Sequence, residues 1–383
     1  MKVAIVSILK NEAEYILEWI AYHRYVLGVD DFFIADNVSD DGSSELLEAL
    51  DQAGIIHRIH HPRVSQEIGV QKPAYDRIIK EYSKDYDYFL FLDADEFLVN
   101  ETGKGLKDWI KRAENNDDFA GFVLNWRIFG SSGRKLPGQG LVVERFSRCS
   151  RVNEPRNSHI KTLVKCDLIG DMRIHHCAIT SGSFYNENIE RAVFSSAMLE
   201  RSANVIDQPS PFTVNINNKK LYVAHFVVKS YKEHFDKKSR KGSGAGSATR
   251  EKGLAYFKEH DLNQAISFDL FKHSLSIRTG ISFLIKELAE KTHYYSYIQF
   301  AIDKSAENIA GWVISDSMAD IVLVIAYNDE EEECNLNIKR PDLVEKNMTD
   351  IMMSGFKYPV PKDTDLDSFT VRVKGTDFYV WGG

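Results

Sequence analysis

Two aspartates one residue apart interrupt FLFLDADEFL, residues 89–98, and their type and spacing suit metal chemistry. Four apolar residues bring the chain out of the interior, and Asp93 and Asp95 follow at the end of the run. A hard cation such as Mg2+ or Mn2+ takes one or two carboxylates and leaves its other positions to water and phosphate oxygens. Placed there, it would neutralise the charge that builds on a departing nucleoside diphosphate. An acidic pair can also do no more than cap the next turn. A second charged stretch, KKSRKGSGAGSATREK at 237–252, is basic and rich in Gly and Ser. It reads either as a loop able to close over an anion or as a solvated charge run. Among the histidines, His57, His60 and His61 surround a strand end without a metal-ligand frame. His175 and His176 are neighbours, so on a strand only one of them can face a site.

The elements that would position these groups alternate. Short β-branched or apolar runs at 3–9, 31–35, 55–59 and 88–92 read as buried strands, and 12–27, 43–52 and 73–84 carry helical spacing. Such alternation predicts an α/β fold with a mostly parallel sheet covered on both faces. Ligands of these sheets bind where loops leave the carboxyl ends of the strands. The polar loop after residue 36 and the loop at Asp93 therefore belong to one edge. The pattern continues with a helix at 106–113 and strands at 119–126, 162–166, 172–178 and 221–228, then a largely helical stretch over 254–289. From about residue 297 the texture turns to alternating strands. Three domains are expected: 1–245 carrying the chemistry, 246–296 helical, and 297–383 a small β unit.

A chain of 383 residues is long for a single core, and its 43% hydrophobic and 27% charged content is that of a soluble globular protein. A net charge of −8 argues against a general nucleic-acid binder. The four cysteines lie far apart without a CxxC, which fits free thiols in a reducing compartment better than a disulfide frame or zinc knuckle. The seven apolar residues before Lys10 are too few to span a membrane, and no later stretch approaches the roughly 20 that a spanning helix needs. A cytoplasmic protein is expected, with at most peripheral contact to a membrane.

Five ordered blocks carry a family resemblance: residues 7–43 (SILKNEAEYILEWIAYHRYVLGVDDFFIADNVSDDGS), 71–79 (QKPAYDRII), 91–98 (FLDADEFL), 126–133 (WRIFGSSG) and 225–242 (HFVVKSYKEHFDKKSRKG). Together they resemble the A-type glycosyltransferases of the broad family-2 kind, nearest the bacterial group related to the animal family-92 galactosyltransferases. The resemblance covers about the first 245 residues and implies a Rossmann-like A-type fold. It also implies inverting transfer of a hexose, galactose first, from a UDP-sugar to a hydroxyl of a surface glycan or lipid-linked oligosaccharide. By the same resemblance, Asp36 contacts the nucleotide base and ribose, and Lys10, Asn11 and Glu12 line the nucleotide pocket. Gln71, Lys72 and Asp76 face nucleotide and phosphates, while Asp93 and Asp95 bind the metal. His225 is a candidate third metal or diphosphate ligand, and Lys229, Lys237 and Arg240 neutralise the diphosphate.

The base is open. Inverting transfer needs a carboxylate or imidazole within reach of the acceptor hydroxyl. Glu144, His176 and Asp171 are the candidates, and Glu144 can equally be a structural partner of Arg145 or Arg148. Trp126 and Arg127 could form an acceptor platform, or Trp126 could be core. The last 85 or so residues, with IAGWVISD, RPDL and SGFKYPVP, resemble the β-sandwich appended to many bacterial glycosyltransferases. Two other functions compete. A sugar-1-phosphate nucleotidyltransferase would need a Gly-rich basic loop after the first strand, and residues 7–12 contain no Gly and one Lys. A non-catalytic carbohydrate-binding protein would have no use for an intact Asp-Ala-Asp.

Overall fold

The computed structural model describes the chain except residues 64–68, 237–251, 293–297, 306, 316–320, 328–329, 347, 362–363, 377 and 382–383. It divides into two compact units, Met1–Ser43 with Ile56–Leu284, and Ser44–Ile55 with Ile285–Gly383.

The first unit is built on a nine-stranded sheet. In chain order its strands and main helices begin β1 (Val3–Leu9), α1 (Ala13–Ala21), β2 (Asp31–Asp36), then after α2 (Ser43–Gln52) β3 (His57–His60) and α3 (Gln71–Tyr82). There follow β4 (Tyr88–Phe91), β5 (Glu96–Asn100), α4 (Leu106–Ala113), β6 (Phe119–Ile128), the single turn α5 (Val142–Arg145), β7 (Ile160–Lys165), β8 (Ser183–Tyr185) and β9 (Leu221–His225). The order across the sheet is β3-β2-β1-β4-β7-β6-β9-β5, with β8 also on β6. Strands β3, β2, β1 and β4 are mutually parallel, β7 runs against β4 and β6, and β5 runs against β9. Val3–Val6, Phe32–Ala35 and Tyr88–Leu92 are buried throughout, as expected of strands covered on both faces.

Only four residues join β4 to β5, yet three strands lie between them in the sheet order. Flat, four strand spacings of about 4.8 Å would exceed what five chain steps of at most about 3.6 Å can reach. The sheet curls, and Leu92–Asp95 bridges its seam. The Asp-Ala-Asp segment thus lies where the β5 end of the sheet comes back to β4 in its middle.

Helix α1 holds that seam from one side. Trp19 Nε1 donates to the Glu96 carbonyl at 2.7 Å and Tyr22 Oη to the Leu98 carbonyl at 2.8 Å. Residues 12–27 do not form the single helix expected from their spacing: α1 ends at Ala21 and Tyr22–Val26 is a π-helical turn. The widened turn places His23 where its Nδ1 faces the Trp19 carbonyl at 2.8 Å, and its Nε2 accepts the Leu98 N–H at 3.2 Å. That edge amide of β5 would otherwise be buried without a partner.

In the second unit, two four-stranded antiparallel sheets share a core of Ile309, Val313, Leu323, Ile325, Phe356, Phe369 and Val371. Residues 44–55 belong to this unit, where Glu45 accepts from Tyr379 Oη at 3.1 Å and the Ala53 carbonyl from Lys291 Nζ at 2.9 Å.

Candidate functional site

At the carboxyl ends of β1 and β2 two loops are stitched together. Asn11, at φ 55, donates from its backbone to Ser39 Oγ at 3.0 Å and exchanges side-chain bonds with Asp40. The Glu12 N–H donates to Ser43 Oγ at 2.8 Å. Asp36 ends β2 fully buried, and its Oδ2 accepts two bonds from Arg58 at 3.0 and 2.7 Å. Lys229, in a left-handed conformation at φ 54, reaches Glu12 at 3.3 Å and lies 3.6 Å over the Tyr15 ring. Lys10, Asn11, Glu12, Asp36 and Lys229 are thereby gathered on the β1–β2 side, while Lys237 and Arg240 lie outside the described residues.

The seam segment divides the two aspartates between different partners. Asp93 Oδ1 accepts from Gln71 Nε2 at 2.7 Å, and Oδ2 pairs with Lys161 Nζ at 2.9 Å. Gln71 also reaches Tyr75 Oη at 2.8 Å, which fixes the first turn of α3 to the seam. Asp95 instead faces His225, whose Nε2 lies 3.5 Å from Asp95 Oδ1. The Phe226 N–H donates to the Asp95 carbonyl, so the backbone after β9 is tied to the same residue.

Behind this pair lie two residues that sequence reasoning did not single out. Lys161, on β7, has a fully buried side chain between Asp93 and Glu96, with Glu96 Oε2 at 3.3 Å. Burial opposes its charge, and the two carboxylates more than restore it, so Lys161 stays a cation. Glu96 is fully buried as well; burial pushes its carboxyl up, against the pull of Lys161. Alternation along IKTLVK gave no sign that the lysine points inward. Only the acidic neighbours supplied by the curled sheet explain it.

Trp126 is 8% exposed, and one face is stacked on His159 with ring centres 4.5 Å apart and planes 11° apart. Its edges meet His225 at 4.4 Å and His175 at 5.4 Å. Of the adjacent histidines it is therefore His175 that joins this cluster, rather than His176. Burial holds His159 down to about 4 and His175 well below the usual value, so both are neutral at physiological pH. Arg127 is spent on structure: it stacks 4.3 Å over Tyr222 and bonds the Asn218 carbonyl and Asp269.

Asp171 and His176 belong to one hairpin, and both carboxylate candidates for the base are held in ion pairs. Glu144 makes a two-toothed pair with Arg278 at 3.0 and 2.6 Å and accepts the Leu141 N–H. Arg278, not the Arg145 or Arg148 considered from sequence, is its partner; Arg145 pairs with buried Glu233 at 2.8 Å. Asp171 lies between Lys72 at 2.8 Å and Arg173 at 2.6 Å, and Lys72 also holds Asp76. These ion pairs lower the Asp171 and Glu144 carboxyls, which makes them weaker bases.

Among the described residues no three His, Cys, Asp or Glu side chains converge on one point. A nucleotide-bound ion does not require three, because phosphate oxygens and water complete its shell. Asp95 and His225, whose side chains come within 3.5 Å of each other, are the residues that would hold such an ion. One hard oxygen and one imidazole nitrogen suit Mn2+. The donor set fits.

A model of glycosyltransferase family 92 matches residues 3–239. The chain belongs to that family. It is 28% identical over 189 residues to a family 92 protein of Ricinus communis, covering 48% of this chain and 33% of that protein. A family 92 protein of Oryza sativa subsp. japonica is 29% identical over 185 residues, covering 47% and 30%. The chain spans about a third of the length of these relatives. They are plant proteins, where the resemblance read from sequence pointed to a bacterial group. Among solved structures, S. aureus TarS 1-349 in complex with UDP-GlcNAc matches at 15% identity and a TM-score of 0.33, covering 76% of this chain and 74% of that one. The family 92 glycosyltransferase has no helix, among its described residues, long and apolar enough to cross a membrane.

Proposed function

We propose that this glycosyltransferase moves a hexose from a UDP-sugar to a hydroxyl of a glycan or lipid-linked oligosaccharide, with a divalent cation between Asp95 and His225. The carrying observation is that pair, 3.5 Å apart at the seam of the sheet and on the same edge as the stitched β1–β2 loops. When bound there, the cation supplies Lewis-acid stabilisation of the leaving diphosphate. The protein's own groups do the rest. Asp93, anchored by Gln71 and Lys161, presents a fixed carboxylate beside the donor. Lys229 lies next to Glu12 on the β1 loop, in place to add positive charge on the diphosphate side. Trp126 and neutral His175 lie beside His225, where the acceptor would enter in this reading. Inversion at the anomeric carbon, galactose as the sugar and a surface glycan as acceptor belong to this reading, on family resemblance.

A screen of nucleotide sugars with the purified protein tests it. UDP release that requires Mn2+ or Mg2+ is expected with at least one UDP-hexose. Pyrophosphate release from UTP and a sugar phosphate would point to a nucleotidyltransferase, and sugar binding without turnover to a carbohydrate-binding protein.

A further inference from the structure

We infer that Glu96 is the positioning residue that aims His225 at the metal, with Lys161 holding Glu96 in place; this rests on reading Asp95 and His225 as the metal-binding pair. Glu96 and His225 are direct partners across the β5–β9 ladder. Glu96 Oε1 lies 3.9 Å from His225 Nδ1, on the far side of the imidazole from Asp95. Its other oxygen, Oε2, is committed to the Asp93 N–H at 2.9 Å and to Lys161 at 3.3 Å. Oε1 is buried without a hydrogen-bond partner among the described residues.

A neutral imidazole has one N–H and one lone pair, and only the lone pair binds a metal. Ligand histidines nearly always give the remaining N–H to a carboxylate or carbonyl, which fixes the tautomer. Glu96 Oε1, facing Nδ1 at 3.9 Å, is the oxygen that would accept that proton once ring and carboxylate close to hydrogen-bond distance, which turns the Nε2 lone pair toward Asp95. A fully buried carboxylate held only for this purpose would be costly to desolvate, and Lys161 offsets it. Lys161 already has Asp93 as a counter-charge at 2.9 Å, so Glu96 is not explained by charge balance alone. The backbone of Glu96 is pinned independently by Trp19.

Substitution by glutamine separates this role from a structural one. In Glu96→Gln the Asp93 N–H and Lys161 both demand an oxygen at the Oε2 position, which turns the amide NH2 toward Nδ1. The imidazole must then accept at Nδ1 and carry its proton on Nε2, the wrong nitrogen. Free Mn2+ is titrated into the 383-residue chain and followed by electron paramagnetic resonance, without donor or acceptor. Glu96→Gln is expected to bind Mn2+ roughly 10- to 100-fold more weakly than wild type, with its circular dichroism unchanged. Glu96→Met combined with Lys161→Met, which removes both buried charges together, is expected to lose the same factor. Wild-type affinity in either variant overturns the inference while leaving the metal reading intact. A wild-type protein that takes up no Mn2+, alone or with UDP, overturns the metal reading and this inference with it.

Discussion

Lys161 is the residue on which the acidic rim most depends. Its side chain has no exposure, and it faces Asp93 and Glu96 together. Removing one member of a buried ion pair strands the other, at a cost of about 3–5 kcal/mol. Lys161→Met should therefore lower unfolding free energy by about that amount in urea titrations, and a loss below about 1 kcal/mol would mean the rim does not rely on it. Asp93 and Asp95 were visible in the sequence because a strand of four apolar residues ends on them. Lys161 was not, since a lysine within an alternating strand normally faces water, and only the tertiary arrangement of carboxylates reverses that. The choice between His175 and His176 was equally hidden: a strand is expected over 172–178, but both histidines lie in the turn between the short strands Ile169–Met172 and Cys177–Ile179, and that turn brings His175 to Trp126.

At the scale of elements, the α/β fold with its mostly parallel sheet was legible because buried strands and amphipathic helices alternate in simple order through β4. The curl was not, because it follows from how far β5 travels across the sheet rather than from any local signal. The membership of 44–55 was hidden in the same way: nothing in α2 itself announces that its partners lie beyond residue 284. Strand β6 sits at the centre of the curl and takes β7 on one edge and both β8 and β9 as parallel neighbours. Gly121 lets β6 and β7 approach: a Cβ there would lie 2.1 Å from the Leu163 carbonyl oxygen and 2.8 Å from Val164 Cα. Both are backbone atoms inside a sheet and cannot yield. Gly121→Ala should cost about 3 kcal/mol or more, measured by chemical denaturation. A near-neutral result would show that these two strands can separate without loss.

The whole molecule carries several histidines buried in neutral form. Burial holds His23 down to about 3, against the ordinary 6.5, and His159 and His260 to about 4. Their folded pKa values lie below the unfolded ones, so between roughly pH 6.5 and 4 the unfolded chain binds more protons than the native one. Stability then rises with pH through that window, levels off above 6.5, and falls on acidification. Each such group contributes up to about 1.4 kcal/mol per pH unit while the others are unchanged. Melting temperatures recorded from pH 7.5 to 5 should decline on the acid side, and His23→Leu should show a shallower decline than wild type, whatever its absolute stability. An unchanged slope would mean that His23 is protonated in the folded protein.

The central claim concerns the cation between Asp95 and His225, and calorimetric titration of UDP into the protein tests it most directly. With Mn2+ present, UDP is expected to bind at least about 30-fold more tightly than in EDTA, and Asp95→Asn is expected to abolish that difference while the fold is retained. Equal UDP affinity with and without Mn2+, or an undiminished Mn2+ effect in Asp95→Asn, would contradict the account.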